Sequence, residues 1–304
     1  MELSQVSPDL RALIRRIAPP AVDCWWNRAF MQGVFALMRA RMDSVDLERV
    51  KAAGKGLRIY HPHKRQSRGA LFWIHGGGFV MGCAAMDDRL CLSTADALGL
   101  TIVSVEYRLA PRHPFPAALD DCLAGWDWLQ QNASRLDIDS RRVAIGGMSA
   151  GGGLAASLVQ RVHDRGETPA AAQWLFCPML DDRTAARPDL GGVSHFMWND
   201  RNNTFGWRAY LDAEPGGANL PPYASAARRE DLRGLPRAWI GVGDIDLFYD
   251  EDQIYAERLR SAGVEVAFAA VPGAPHGFEV WGAETDLAKA HVAGAQQWLG
   301  RLLS

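Results

Sequence analysis

Short apolar runs alternate with longer amphipathic stretches from residue 69 to the end of the sequence. The apolar runs, rich in Val, Ile and aromatic residues, cover residues 70–74, 101–105, 142–146, 173–177, 238–242 and 264–270. Amphipathic patterns between and after them predict helices over residues 88–98, 117–131, 151–163, 250–262 and 286–303. Strands that are nearly all apolar and are separated by helices indicate a parallel sheet covered on both faces. The pattern therefore predicts a doubly wound α/β sheet, to which residues 56–60 add an antiparallel edge strand.

Two regions interrupt this alternation and do not fit a strand–helix–strand unit. Residues 1–45 contain a helical stretch whose regularly spaced apolar positions are Val22, Trp25, Trp26, Phe30, Val34, Leu37 and Met38. Residues 183–225 are punctuated by Pro and Gly and hold an aromatic helical piece over residues 205–211. Because ligands bind at the carboxyl ends of the strands in such sheets, we expect the two regions to form a cap there. The catalytic domain then comprises residues 46–182 and 226–304.

Composition and charge narrow the class of protein. A chain of 304 residues that is 48% hydrophobic and 22% charged is typical of one large globular domain with an insertion. A net charge of -2 gives no basic footprint for nucleic acid. The sequence shows neither a secretory signal nor the ~20-residue apolar run of a membrane span. Five widely spaced cysteines without a C-x-x-C pair indicate reduced, mostly buried thiols, so we expect a cytoplasmic protein.

The first candidate for chemistry is Ser149, in the sequence GMSAG at residues 147–151 between a predicted strand and a predicted helix. A nucleophile elbow needs this context, because its serine lies on a strained turn and small neighbours let strand and helix approach closely. The pattern alone fits equally well a glycine-rich turn in which Ser149 only caps the helix.

A second motif favours the catalytic interpretation. The sequence HGGG at residues 75–78 directly follows the first predicted strand of the parallel sheet. Consecutive glycines leave backbone N–H groups unobstructed, so those of Gly77 and Gly78, with that of Ala150, can stabilise the oxyanion of an ester intermediate. A flexible loop or a phosphate-binding turn is the alternative, but the residues that follow fit neither a Walker motif nor a dinucleotide fingerprint.

The order of residues along the chain indicates a candidate for the general base. A triad on this type of sheet runs serine, carboxylate, histidine. His276 follows the last predicted strand and therefore meets Ser149 at the carboxyl edge of the sheet, where it would accept the serine proton. Two other histidines after Ser149, His163 and His195, lie in a helix and in the insert and do not fit this position.

The carboxylate is less clearly defined by position. Asp244 and Asp246 both follow the strand predicted over residues 238–242, and they are two residues apart in a loop, so strand geometry excludes neither. Asp250, on the predicted helix, is a weaker candidate.

The remaining histidines do not indicate a metal. His61, His63 and His113 form the closest grouping, but no H-E-x-x-H motif or Cys/His cluster accompanies them. We interpret them as surface or turn residues and expect neither a metal nor an organic cofactor.

Five motifs occur in an order and spacing that resemble those of the hormone-sensitive-lipase family of bacterial esterases. They are HGGGFVMG at residues 75–82, YRLAPRHPFPAA at 107–118, GMSAGG at 147–152, DIDLFYDE at 244–251 and HGF at 276–278. The resemblance extends from about residue 69 to the end and is weaker through the two cap regions.

The resemblance implies an α/β-hydrolase fold with a mostly parallel eight-stranded sheet, helices on both faces and a helical cap. It also implies hydrolysis of short- to medium-chain carboxylic esters without metal or organic cofactor. By position, the family triad falls on Ser149, Asp246 and His276, and the oxyanion donors on Gly77, Gly78 and Ala150. The spacing of Asp246 from Asp250 matches the family motif, which favours Asp246 over Asp244.

Two residues depart from the family pattern. Met148 stands where the family has Asp or Thr, and Arg112 stands where it has Glu. Bulky apolar residues expected to line the substrate pocket are Trp25, Trp26, Phe79, Met81 and Met148.

Other functions remain open for the same fold. An amidase, an arylformamidase or an acyltransferase would use the same triad, and a receptor of this fold would lack the triad histidine, which is present here. The expected partners are a small-molecule ester and, through pairing of edge strands, a second copy of the chain in a homodimer.

Overall fold

An eight-stranded sheet runs through the computed structural model, which describes residues 2–17, 21–37, 40–52, 56–187 and 195–304. The strands are β1 (Val45–Val50), β2 (Gly56–Pro62), β3 (Ala70–Ile74), β4 (Thr101–Glu106), β5 (Val143–Met148), β6 (Gln173–Phe176), β7 (Ala238–Gly243) and β8 (Val266–Val271). Their order across the sheet is β1-β2-β4-β3-β5-β6-β7-β8. The β1–β2 and β2–β4 pairs are antiparallel and all other pairs are parallel, as predicted for a doubly wound sheet.

Helices connect the strands on both faces. They are α1 (Pro8–Ile14), α2 (Trp25–Leu37), α3 (Asp88–Leu98), α4 (Ala117–Gln131), α5 (Ala150–Arg165), α6 (Asp200–Leu211), α7 (Tyr249–Ser261), α8 (Phe278–Trp281) and α9 (Asp286–Leu303). The α/β-hydrolase architecture predicted from the sequence is therefore confirmed. No helix of the described residues has both the length and the apolar character needed to cross a bilayer.

The two faces of the sheet fill two core layers, which follows from the alternation of side chains along each strand. In β3, Phe72 and Ile74 belong to the layer that contains Trp126 of α4 and Leu154 of α5. Their neighbours in the chain, including Trp73, belong to the opposite layer with residues of α3 and α9. Because both faces are buried, every residue of β3 had to be apolar, which is why the sequence pattern was a continuous run.

The sheet has one strand more at its edge than the sequence pattern predicted. Residues 56–60 were expected to form the edge, but they lie in β2, which pairs with β4 on one side and with β1 on the other. Strand β1 escaped prediction because most of its residues are partly or fully exposed, so it shows no continuous apolar run.

The two regions expected to form a cap contact each other. The guanidinium of Arg28 in α2 lies 4.8 Å from the ring centroid of Phe205 in α6. The Asp23 carboxylate accepts a hydrogen bond of 2.8 Å from Arg201 Nε. These contacts join the N-terminal region to the insert, although residues 188–194 of the insert and Met38 of the predicted stripe lie outside the described residues.

Candidate active site

Ser149 lies at the turn between β5 and α5 and has φ 55° and ψ −124°, a conformation that non-glycine residues rarely adopt. Small flanking residues make this turn possible. A Cβ at Gly147 would lie 2.3 Å from the carbonyl oxygen of Gly151, and one at Gly151 would lie 2.2 Å from that of Ile74. The turn therefore has the geometry of a nucleophile elbow, which projects the serine side chain from the carboxyl end of β5.

Ser149, His276 and Asp246 form a continuous hydrogen-bonded chain. His276 Nε2 lies 2.9 Å from Ser149 Oγ, and His276 Nδ1 lies 2.8 Å from Asp246 Oδ2. All three residues are buried, at 6%, 8% and 5% exposure. An ionised carboxylate only accepts hydrogen bonds, so the imidazole Nδ1 carries the proton and Nε2 is free to accept the serine proton.

The structure brings only one of the three candidate aspartates to the histidine. The second oxygen of Asp246 accepts a 3.0 Å hydrogen bond from the Phe248 N–H, which fixes the carboxylate plane. Asp244 is exposed and accepts a 2.7 Å hydrogen bond from the Gly273 N–H instead. Asp250 lies 3.3 Å from Arg187 at the surface.

The glycine loop at residues 75–78 lies beside Ser149 in a conformation that only glycine adopts easily. Gly77 has φ 115° and Gly78 has φ 59°. A Cβ at Gly77 would lie 2.0 Å from the Met81 carbonyl oxygen. Within the described part of the chain, the N–H groups of Gly77, Gly78 and Ala150 have no acceptor, so they remain available to a ligand.

Trp198 covers this loop from the insert. A Cβ at Gly78 would lie 2.1 Å from the Trp198 ring, and that ring has its centroid 6.4 Å from the centroid of His276. Trp198 is only 4% exposed. The indole therefore lies against both the glycine loop and His276, and its aromatic character in an otherwise irregular segment was the available sequence signal.

Gln32 holds the cap helix α2 to the same loop through two hydrogen bonds. Its side-chain Nε2 donates to the Gly82 carbonyl at 2.8 Å, and its Oε1 accepts from the Gly82 N–H at 2.9 Å. A single glutamine in an amphipathic helix carries no sequence signal, so this contact could not be predicted.

The residues expected to line the substrate pocket occupy three different environments. Phe79 is buried and stacks on Tyr210 of α6 with ring centroids 4.1 Å apart, and Met81 is buried beside it. Met148 is buried too, but in the core layer of the opposite face of the sheet.

Trp25 and Trp26, also expected to line the pocket, are exposed on helix α2 in the described part of the chain. They are 58% and 60% exposed. Helix α2 meets the rest of the chain through Arg28, Gln32 and Phe35, which leaves the two tryptophans in its first turn outside.

Further acidic groups lie buried behind the Ser149–His276–Asp246 chain. Burial, with the nearby carboxylates of Glu251 and Asp246, raises the pKa of Asp252 well above its usual value. Burial likewise raises the pKa of Glu251, whose Oε1 accepts a 2.6 Å hydrogen bond from the Leu180 N–H. Burial therefore favours the neutral form of both carboxyl groups.

Cys177 also borders the chain. Its Sγ, a ring nitrogen of His276 and a carboxylate oxygen of Asp246 lie within 4.8 Å of one another. Burial raises the pKa of the Cys177 thiol, and the neighbouring carboxylates of Glu279 and Asp246 raise it further. The thiol is therefore protonated, as the sequence analysis expected of a buried cysteine.

Comparisons with known proteins agree with one another. The sequence profile of a family described as alpha/beta hydrolase fold matches residues 71–280. The carboxylic ester hydrolase LipN of Mycobacterium tuberculosis is 34% identical over 266 residues, which are 83% of this chain and 69% of that protein. The ethyl acetate hydrolase of Pseudomonas putida is 31% identical over 73% of this chain and 70% of its own length. The structure of a bacterial heroin esterase superposes with a TM-score of 0.92 at 32% identity, over 99% of both chains.

Proposed function

The chain belongs to the α/β-hydrolase family of esterases related to hormone-sensitive lipase, and on this premise we propose that it hydrolyses short- to medium-chain esters through an acyl-enzyme on Ser149. It is a carboxylic-ester hydrolase, as its relatives are. The observation that carries the proposed mechanism is the hydrogen-bonded chain from Ser149 through His276 to Asp246, beside a loop with free N–H groups.

Acylation begins when Ser149 Oγ attacks the carbonyl carbon of the ester and His276 Nε2 takes the Oγ proton. The carbonyl oxygen becomes an oxyanion, which accepts hydrogen bonds from the N–H groups of Gly77, Gly78 and Ala150. The carbon–oxygen bond to the alcohol then breaks, and the imidazolium returns its proton to the leaving alkoxide.

Deacylation repeats these steps with water as the nucleophile. His276 takes a proton from water, the resulting hydroxide attacks the acyl carbon, and the bond to Ser149 Oγ breaks with return of the proton to Oγ. The Asp246 carboxylate stays ionised throughout and stabilises the imidazolium that forms in each half-reaction.

The size of the acyl group is limited by the residues that cover the loop. Trp198 lies against Gly78 and faces His276, and the buried Phe79–Tyr210 stack lies behind the loop. Burial of each additional methylene stabilises the bound ester by only about 0.8 kcal/mol, and a steric clash with the pocket wall cancels this gain. We therefore expect acyl chains of roughly two to eight carbons to react best.

A p-nitrophenyl ester series from two to sixteen carbons tests the substrate class, and a phosphonate inhibitor tests the nucleophile. We expect the highest kcat/KM within the short esters, one phosphonate per chain on Ser149, and neither activity nor label in folded Ser149→Ala. Faster hydrolysis of a matched anilide would make the protein an amidase. A preference for long-chain esters at an oil–water interface, or retention of more than a few per cent of activity in Ser149→Ala, would refute the proposal.

We also propose that the protein forms a homodimer through β8. This strand borders the sheet, and no strand of the described residues pairs with its outer edge. Two copies could pair these edges across a two-fold axis. Light scattering should give twice the chain mass, and a monomer mass at all concentrations would exclude the dimer.

A cytoplasmic location is the compartment that we propose. The five cysteines are free and four of them are buried, which suits a reducing compartment. Fractionation of cells that produce the chain should recover it with cytoplasmic markers, and recovery with exported proteins would contradict this.

A further inference from the structure

The Cys177 thiol gives the site a set of groups that ester hydrolysis does not need. Cys177 Sγ, an Asp246 oxygen and a His276 nitrogen lie within 4.8 Å of one another, and all three residues are buried. Two of them belong to the proposed triad, whereas Cys177 has no part in the mechanism above. Thiolate, carboxylate and imidazole are the side-chain groups that bind Zn²⁺ in proteins.

The distances suit a thiophilic divalent cation after small adjustments. Bonds of about 2.3 Å to sulfur and about 2.0–2.2 Å to nitrogen and oxygen place tetrahedral ligands roughly 3.3–3.6 Å apart. The His276 Nδ1–Asp246 Oδ2 distance of 2.8 Å would widen by about half an ångström. The thiol would approach by up to about 1.5 Å, which side-chain rotation can supply.

The acidic groups near Cys177 also suit a cation. The carboxyl groups of Glu279 and Asp246 lie close enough to the thiol to raise its pKa. The Glu279 side chain is 1% exposed. Its Oε1 lies 3.4 Å from His291 Nε2, and neither oxygen has a hydrogen-bond partner among the described residues. A dication with one thiolate, one carboxylate and one neutral imidazole forms a site of zero net charge, which reduces the cost of burial.

We propose that Cys177 Sγ, His276 Nδ1 and an Asp246 oxygen form an inhibitory site for a thiophilic divalent cation such as Zn²⁺ or Cd²⁺. Binding releases the thiol proton to water and shifts the imidazole proton from Nδ1 to Nε2. An imidazole with a proton on Nε2 cannot accept the proton of Ser149. The inhibition rests on the triad proposed above, whereas the binding of the cation does not.

The proposed ligand atom Nδ1 lies on the side of the His276 ring that faces Asp246, whereas Nε2 lies 2.9 Å from Ser149 Oγ. Mg²⁺ and Ca²⁺ prefer oxygen ligands and should not compete for a thiolate–imidazole pair.

The first test measures inhibition of p-nitrophenyl butyrate hydrolysis by ZnCl₂, with each variant compared with its own rate without metal. We expect Cys177→Ser to raise the concentration for half-inhibition by tenfold or more, and Cys177→Ala to do the same. Cys122→Ser, which alters a fully buried cysteine of α4, should stay within twofold of the unsubstituted protein. MgCl₂ at equal concentration should not inhibit, and EDTA should restore the activity.

The second test measures binding without activity. Addition of Cd²⁺ to folded Ser149→Ala should produce the ultraviolet charge-transfer absorption of a cadmium–thiolate bond, and Cys177→Ser in that background should remove it. Equal zinc sensitivity in the Cys177 variants and the unsubstituted protein, or an unchanged cadmium signal without Cys177, would overturn the proposal. Loss of ester hydrolysis alone would count against the proposed function and would leave the cadmium result to decide the site.

Discussion

Asp246→Asn changes one oxygen of the site to an amide nitrogen, and the structure defines which atom faces the histidine. The Oδ1 of Asp246 accepts the Phe248 N–H at 3.0 Å, a role that the amide oxygen of asparagine can keep. The amide NH₂ must then face His276 Nδ1, where Oδ2 now lies at 2.8 Å. Because both groups would be donors, the imidazole has to move its proton to Nε2, and it can no longer act as a base toward Ser149.

The expected loss in kcat is a factor on the order of 10³–10⁴, which corresponds to about 4–5.5 kcal/mol in the activation free energy. KM should change little, because in the proposed mechanism the ester contacts the loop at residues 75–78 and the cap rather than the Asp246 carboxylate. Steady-state hydrolysis of p-nitrophenyl butyrate measures both constants, and circular dichroism checks the fold.

Asp244→Asn is the matched control for Asp246→Asn. The Asp244 side chain is exposed, and its hydrogen bond from Gly273 N–H can be retained by the asparagine oxygen. Asp250→Asn should likewise keep most of the activity, because it removes only a surface ion pair with Arg187. Loss of activity in Asp244→Asn together with retained activity in Asp246→Asn would refute both the assignment of Asp246 as the triad carboxylate and the tautomer argument.

Two further predictions concern the cap and the stability of the fold. Trp198→Ala should raise the ratio of octanoate to butyrate kcat/KM several-fold, because it opens the space between Gly78 and His276. Trp207→Ala, which replaces another buried tryptophan of the same insert, is the control. An unchanged ratio in Trp198→Ala would exclude Trp198 as the residue that limits acyl length. Burial raises the pKa of Asp87 from 3.8 to about 7, while the hydrogen bond from Trp73 Nε1 opposes the rise. Between pH 3.8 and pH 7 the folded state therefore binds more protons than the unfolded state, and stability falls as the pH rises through this range. Above pH 7 this shift lowers the free energy of unfolding by about 4 kcal/mol. Asp87→Asn should therefore raise Tm relative to the unsubstituted protein at pH 8 and much less at pH 4.5. An equal difference in Tm at the two pH values would refute the shift.

The sequence alone determined the sheet and the order of the site residues along it. Strands β3 to β7 are buried on both faces or nearly so, and this forces apolar runs that are visible without a structure. The elbow and the glycine loop were also visible, because their backbone conformations exclude most other residues: a Cβ at Gly77 or Gly151 would collide with a carbonyl oxygen. The residue types in these segments therefore indicate the local backbone conformation.

Only the tertiary structure decided which side chains meet. Asp244 and Asp246 are equivalent by strand geometry, and their difference depends on where the loop after β7 lies relative to His276. The contact of Gln32 with Gly82 joins residues 50 positions apart and leaves no pattern in either segment. Trp25 and Trp26 carry the apolar signal of a pocket wall but remain exposed, because helical periodicity defines a face and does not say what covers it.

Cys177 shows most clearly that the sequence alone does not predict which side chains meet. Its sequence context correctly indicated a buried, reduced thiol. Its position beside Asp246 and His276 arises because β6 and β7 are neighbours in the sheet, while β8 carries the histidine loop back to the same edge. Parallel strands bring their carboxyl ends together whatever their separation in the chain, so the ligands of the proposed cation site are assembled by strand order and not by spacing along the sequence.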